Sequence, residues 1–205
     1  MISKLKRADN PVHTRKAADL LKKGGVIIHP TETIYGFTAS ALQGNAVRRV
    51  DRIKGRKSGE TYLLLVRDIK MAQELHVLFD RTAAKLAARF WPGPLTLVLP
   101  VEKKSLLFSL SRNGTIALRV SSEKSIRDLF ELIDFPLIST SVNRSGEEPL
   151  RIPEKMESLF AKEVDLILEK GVLPSRKSST LVAIKNETID ILRPGPITEQ
   201  ELYGA

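Results

Sequence analysis

Two cations flank a single glycine in the segment Lys54-Gly55-Arg56. Both side chains can reach one anion, because the small residue between them permits close approach of the backbone. Binding of a phosphate or a carboxylate is therefore the chemistry that this triplet would support. Lysine and arginine are also common in the last turn of a helix, so a solvated basic helix end is the other interpretation.

Hydroxyl and amide side chains are concentrated in residues 139–146, with the sequence STSVNRSG. Ser139, Ser141 and Asn143 offer neutral donors and acceptors suited to phosphate or ribose oxygens, although a polar turn can have the same composition. A second polar segment, PTETIYG at residues 30–36, follows an apolar run and contributes Thr31. It either lines a crevice at a strand end or forms a capped turn before a helix.

Two further arginines lie within or beside predicted strands. Arg119 falls inside the strand predicted for residues 115–120, where its side chain points either at solvent or into a cavity that supplies an anion. Arg193 precedes Pro194-Gly195, a pattern that is also typical of a simple turn with an exposed cation.

Several familiar nucleotide and metal sites are excluded by the sequence. It contains neither GxxxxGK followed by Ser or Thr nor GxGxxG, so a nucleotide must bind in another way. With no cysteine, the chain has no disulfide, thiol nucleophile or thiolate zinc site. Its histidines, His13, His29 and His76, lack metal-ligand spacing, and we expect them to be structural.

The polar segments must be positioned by a fold in which helices and strands alternate. Helical spacing of apolar residues, with Asn45 and Asp80 as predicted caps, indicates helices at residues 13–23, 46–54, 81–90, 123–133 and 153–161. Apolar runs predict strands at residues 26–29, 62–66, 95–99, 115–120, 136–141, 181–184 and 189–192. The pattern predicts an α/β fold with a mixed sheet.

Length and composition favour one globular domain over residues 1–205, since no repeat or low-complexity linker divides the chain. No apolar run approaches the roughly 20 residues of a membrane helix, so no membrane segment is expected. Residues 1–10 lack the apolar stretch of a secretion signal, which favours a cytoplasmic location. The net charge of +9 favours a polyanionic partner or reflects a merely basic surface.

Seven short motifs, taken in order, make the chain similar to the YrdC-like family. They are PTETxYG at 30–36, KxR at 54–56, WPGPLT at 91–96, LRV at 118–120, SxNxSG at 141–146, STLV at 179–182 and LRxG at 192–195. Each is weak alone, but together they span about residues 14–197 in the family's order. The chain is therefore identified as a member of this family, and it resembles the short form without a second C-terminal domain.

The resemblance implies a twisted open mixed sheet with flanking helices and a positively charged concave cavity. It also implies a nucleotidyltransferase that makes L-threonylcarbamoyl-AMP from L-threonine, bicarbonate and ATP and releases pyrophosphate. Magnesium is expected to enter with ATP, held by phosphate oxygens and water, because the motifs contain no acidic cage. The product would pass to separate transferase proteins that complete N6-threonylcarbamoyladenosine (t6A) in transfer RNA.

By the same resemblance, the motif residues divide between the two substrates. ATP is assigned to Lys54, Ser58, Ser141, Asn143 and Arg193. L-threonine is assigned to Thr31, Arg119, Ser139 and Ser179. The residues expected to act at the reacting phosphates are Lys54, Arg56, Ser141 and Asn143. Some members carry a threonine-contacting histidine where this chain has Leu65, so that contact is absent here or supplied otherwise.

The alternative function is a non-catalytic module that binds transfer RNA or double-stranded RNA during ribosome or RNA maturation. A basic concavity would hold RNA phosphates, but such a module needs stacking aromatics and no threonine pocket. Only 5% of the residues are aromatic, and Thr31, Arg119 and Ser139 are all present, which favours the enzyme.

Overall fold

The computed structural model describes residues 3–56, 61–185 and 187–204. These residues fall into two compact units, each built from two separate stretches of chain. The first unit comprises the described parts of Met1–Ser58 and Glu123–Arg176, and the second comprises those of Gly59–Ser122 and Lys177–Ala205. No helix in the described part of the chain is both long enough and apolar enough to cross a membrane.

Helices and strands alternate through much of both units, as the sequence predicts. The strands are β1 Leu5–Arg7, β2 Ile27–Pro30, β3 Tyr35–Ser40, β4 Leu63–Leu65, β5 Leu95–Pro100, β6 Thr115–Arg119, β7 Leu137–Ser141, β8 Leu166–Glu169, β9 Thr180–Lys185 and β10 Thr188–Arg193. The helices are α1 Pro11–Lys22, α2 Gly44–Lys54, α3 Ile69–Glu74, α4 Arg81–Phe90, α5 Lys124–Phe130, α6 Pro153–Phe160 and α7 Glu199–Tyr203, with a short 3-10 helix at Phe108–Leu110. The alternation is interrupted within the units where β3 follows β2, α4 follows α3 and β10 follows β9 directly.

The strands of each unit pair in both directions. In the first unit the order is β1-β8-β2-β3-β7, with β1, β8 and β2 parallel and β3 antiparallel to both β2 and β7. In the second unit the order is β4-β6-β5-β9-β10, with parallel β4–β6 and β5–β9 pairs and antiparallel β5–β6 and β9–β10 pairs. The predicted α/β class with a mixed sheet and flanking helices is confirmed.

Local sequence explains where several elements begin. Asp80 accepts a hydrogen bond from the Ala83 N–H at 2.7 Å, which confirms it as the cap of α4. The prediction that Asn45 caps α2 is wrong, because the helix already begins at Gly44 and Gln43 is its N-cap. Gln43 is held by the end of α1, where its side-chain amide donates to the Lys22 carbonyl at 3.0 Å. The cap and the start of α2 therefore lie two residues earlier than the local pattern predicts.

The segment PTETIYG forms a hairpin turn and no helix follows it, so the interpretation as a helix cap is wrong. β2 and β3 pair directly on either side of it, with His29 opposite Gly36 and Pro30 opposite Tyr35. All six residues of β3 are buried, which is why its sequence lacks the alternation expected of a half-exposed strand.

Each unit has its own apolar core. In the first, Phe37 of β3 and Phe160 of α6 meet edge to face, with ring centroids 5.0 Å apart. In the second, Leu86 of α4 and Leu97 of β5 are almost fully buried, and Trp91 packs edge to face on Phe79. These cores fix the ends of the strands and helices that carry the polar motifs.

Candidate active site

Lys54, Ser141 and Asn143, three residues predicted to meet ATP, form one cluster in the first unit. Lys54 is the last residue of α2, and its side chain is turned inward, leaving the residue 4% exposed. Its ammonium donates to the Ser141 carbonyl at 2.7 Å, to Asn143 Oδ1 at 2.9 Å and to the Asn143 carbonyl at 3.2 Å. It also lies 3.4 Å from Ser141 Oγ. These four acceptors are neutral oxygens, so the contacts hold the cation without cancelling its charge.

The loop after β7 is built around the Asn143 side chain. Its amide group donates to the carbonyls of Arg144 and Glu147, both at 2.8 Å, while Oδ1 also accepts from Ser141 Oγ. All hydrogen-bonding groups of the Asn143 amide are thereby used within the first unit. Asn143 consequently holds the loop in one shape and orients the Lys54 ammonium.

Arg56 follows the end of α2, where its backbone N–H donates to the Asp51 carbonyl at 3.0 Å. Gly55 between the two cations adopts a left-handed conformation with φ of 63°, which glycine accommodates without strain. Ser58, the remaining predicted ATP contact of this segment, lies outside the described residues.

Thr31 and Ser139, two predicted threonine contacts, also belong to the first unit. The Thr31 hydroxyl donates to the Ile34 carbonyl at 2.7 Å and accepts from the Ile34 N–H at 3.1 Å, so it holds the turn between β2 and β3. Ser139 is 5% exposed on β7, and its Oγ would lie 2.8 Å from a Cβ at Gly36. Position 36 therefore favours glycine, because a Cβ there would force the Ser139 hydroxyl to move.

Ser179 and Arg193, one predicted threonine contact and one predicted ATP contact, touch each other in the second unit. The Arg193 guanidinium donates to the Ser179 carbonyl at 3.0 Å and to Ser179 Oγ at 3.2 Å. Thr96 completes the group, with its Oγ1 only 2.7 Å from Ser179 Oγ. Ser179 and Thr96 are each 1% exposed, whereas Arg193 is exposed at the end of β10.

A cavity of about 320 Å³ adjoins this second group. Its lining includes Arg193 and Thr96 together with Arg112, Thr115 and Tyr62. Two cations, hydroxyl groups and apolar strand residues suit a ligand that has both an anionic and an apolar part. The motifs did not indicate Arg112 or Tyr62, because both lie outside the motif segments.

Arg119 is buried in the second unit, at 2% exposure, so solvent is not its environment. It ends β6, where it lies opposite the fully buried Leu65 of β4, and its carbonyl accepts from the Val66 N–H at 3.0 Å. Leu65 is thus an apolar neighbour of a predicted threonine contact.

His29 lies in structural surroundings. His29 is fully buried, its Nδ1 lies 2.6 Å from the Pro30 carbonyl, and burial lowers its pKa to about 4. Across residues 3–56, 61–185 and 187–204, no group of three or more His, Asp or Glu side chains is placed to hold a metal ion. Magnesium bound by ATP itself remains a prediction.

Comparisons with known proteins identify the family of the chain. A family model for Sua5, YciO and YrdC, described as telomere recombination, matches residues 19–195. The threonylcarbamoyl-AMP synthase of Pseudomonas fluorescens is 33% identical over 90% of this chain and 98% of its own length. That of Pyrococcus abyssi is 31% identical over 92% of this chain, which spans 55% of that longer relative.

A crystal structure of Pyrococcus abyssi Sua5 complexed with L-threonine superposes with a TM-score of 0.87 and 29% identity. The match covers 98% of this chain and 58% of that protein. Fold and motifs together define an α/β protein of the YrdC-like class. The chain belongs to the Sua5/YciO/YrdC family.

Proposed function

We propose that this chain joins L-threonine, bicarbonate and ATP to form L-threonylcarbamoyl-AMP and pyrophosphate. The observation that carries the proposal is the contact between Arg193 and Ser179, which makes a predicted ATP residue a direct neighbour of a predicted threonine residue. A synthase must hold its amino acid beside its nucleotide, because positioning of the two reactants supplies much of the rate.

The reaction needs no covalent attachment to the protein. The threonine amine takes up bicarbonate to give a carbamate and water. A carbamate oxygen then attacks the α-phosphorus of ATP, a new P–O bond forms, and the bond to the β-phosphate oxygen breaks to release pyrophosphate. Neither step is a redox reaction, so the absence of cysteine from the chain is compatible with both.

The protein's contribution is to position the reactants and stabilise negative charge. We assign ATP to Lys54, Ser58, Ser141, Asn143 and Arg193, with Arg56 directed to the phosphates. We assign L-threonine to Thr31, Arg119, Ser139 and Ser179. The buried Lys54 ammonium supports this division, because its contacts to neutral oxygens preserve a positive field for the phosphates.

Magnesium belongs to the substrate in this proposal. MgATP carries the ion on its phosphate oxygens and water, and the described residues around Lys54 and Arg193 present cations and neutral oxygens. That donor set suits a phosphate chain better than a bare metal ion.

The product is an acyl adenylate, which reacts readily with an amine. We propose that separate transfer RNA threonylcarbamoyl transferase proteins consume it to modify adenosine to t6A, in the cytoplasm where ATP and transfer RNA are available. The RNA-binding alternative is less favoured, since curated relatives over most of the chain are named as synthases.

The proposal is tested by pyrophosphate release from the purified full-length protein given MgATP, with threonine and bicarbonate each present or omitted. We expect nuclease-treated protein to release pyrophosphate only when threonine and bicarbonate are both present. Release independent of threonine, or release that requires added RNA, would contradict the proposed reaction.

A further inference from the structure

The end of helix α2 is held by the loop that follows β7. A helix leaves its last four backbone carbonyls without partners inside the helix. Two of them in α2 are satisfied by the N–H groups of Gly55 and Arg56. The other two accept from the loop: the Arg144 guanidinium donates to the Ile53 carbonyl, and the Ser145 N–H donates to the Lys54 carbonyl at 2.8 Å.

Arg144 is itself held rigidly on two sides. Its guanidinium forms a two-pronged ion pair with Glu163, with N to O distances of 2.6 and 3.2 Å. The same group lies over the Phe160 ring, 4.9 Å from its centroid. A planar guanidinium can make the ion pair, the ring contact and the carbonyl contact at once, whereas an ammonium cannot.

The loop and the helix end therefore hold each other in both directions. Lys54 reaches from the helix to Ser141 and Asn143, and Arg144 and Ser145 reach from the loop to the helix. The Lys54 side chain starts at the last helical residue. Any displacement of the helix end therefore also displaces the ammonium.

We infer that Arg144, with Glu163, is a positioning residue that sets the place of the Lys54 ammonium and so the affinity for ATP. This inference rests on the function proposed above, which gives Lys54 its phosphate contact. Both terminal nitrogens of Arg144 donate to protein oxygens, so we assign it a role that acts through Lys54.

Arg49 offers a matched control in the same unit. It forms a two-pronged ion pair with Asp165, at 2.6 and 3.1 Å, and donates to the Glu163 carbonyl at 2.8 Å. It lies on α2 like Lys54, but its contacts go to the turn around residue 164 and not to the end of the helix. Arg49→Lys thus alters a comparable arginine fork that contacts the backbone of Glu163, but neither the Glu163 carboxylate nor the carbonyls at the end of α2.

The test compares Arg144→Lys with Arg49→Lys. We expect Arg144→Lys to weaken ATP binding, measured by calorimetry, and kcat/KM for ATP by about tenfold while KM for threonine stays within about twofold. We expect the two variants to lower the melting temperature by similar amounts, but Arg49→Lys should leave ATP binding unchanged. Circular dichroism verifies that each variant is folded.

A second comparison separates positioning from general loss of structure. In a Lys54→Ala background, Arg144→Lys should cause little further loss of ATP binding, because the group it positions has gone. Equal losses in both backgrounds, or equal effects of Arg144→Lys and Arg49→Lys, would overturn the inference. Calorimetry needs no turnover, so a protein that binds ATP but makes no pyrophosphate would refute the proposed reaction while still testing the role of Arg144.

Discussion

Lys54 and Arg193 are both assigned to ATP, yet the two units hold them in different ways. Lys54 is 4% exposed and donates to several oxygens of Ser141 and Asn143. Arg193 is exposed at the end of an edge strand, donates to Ser179 and lines a cavity. One cation is part of the packed structure, and the other stands where a ligand can reach it.

This difference predicts that Lys54 serves both stability and catalysis, whereas Arg193 serves mainly catalysis. Removal of Lys54 would leave buried loop oxygens without a donor, so it should affect stability and catalysis together. Arg193 should affect catalysis more than stability, since its own side chain is exposed and the buried Ser179 Oγ keeps its contact with Thr96 when Arg193 is removed.

Lys54→Ala should have the largest effect. We expect synthesis to fall by tenfold or more and the free energy of unfolding to fall by about 2 kcal/mol, because the Ser141 and Asn143 oxygens lose their donor. Pyrophosphate assays and urea unfolding measure the two quantities. Lys155→Ala, an exposed lysine of α6, is the control and should change neither. Unchanged stability in the Lys54 variant would mean that its contacts do not support the loop.

Arg193→Ala should come next and should separate the two quantities. We expect a loss of about tenfold in kcat/KM for ATP, with the free energy of unfolding within about 0.5 kcal/mol of the native value. Lys185→Ala, an exposed cation at the end of the neighbouring β9, should be silent in both measurements. A large loss of stability in the Arg193 variant would erase the contrast with Lys54.

Thr96→Val should have the smallest effect and should fall on threonine. The exchange keeps the shape of the side chain but removes the hydroxyl that orients Ser179, so KM for threonine should rise about threefold. KM for ATP should stay unchanged. Thr96→Ser keeps the hydroxyl and should restore the native value. Equal KM values for threonine in the Val and Ser variants would show that the Thr96 hydroxyl has no orienting role.

Much of the fold could be predicted because its elements have strong local signals. The apolar run that forms β5 and the Asp80 cap of α4 are visible in the sequence and occur in the structure. β3 was missed because it is buried along its whole length and carries no alternation. β1 was missed because its sequence, Leu-Lys-Arg, contains no apolar run, and β8 because its three apolar residues are bounded by charged residues.

The candidate site was only partly predictable, because some of its contacts join residues that are far apart in the sequence. Lys54, Ser141 and Asn143 stand in motifs, and the structure brings them together. Arg144 stands in a variable position of the same motif, and its role depends on Glu163 and on the carbonyl of Ile53, far apart in sequence. Contacts of this kind arise from strand order and helix packing, which no local pattern encodes.

The close approach at Gly36 has a consequence for how this sequence can change. An added Cβ at position 36 would meet the Ser139 Oγ at 2.8 Å, so even alanine there would require that hydroxyl to turn away. Exchange of Ser139 for alanine would clear the space first. The two positions are therefore epistatic: a side chain at position 36 should be better tolerated once the Ser139 hydroxyl, which is assigned to threonine, is absent.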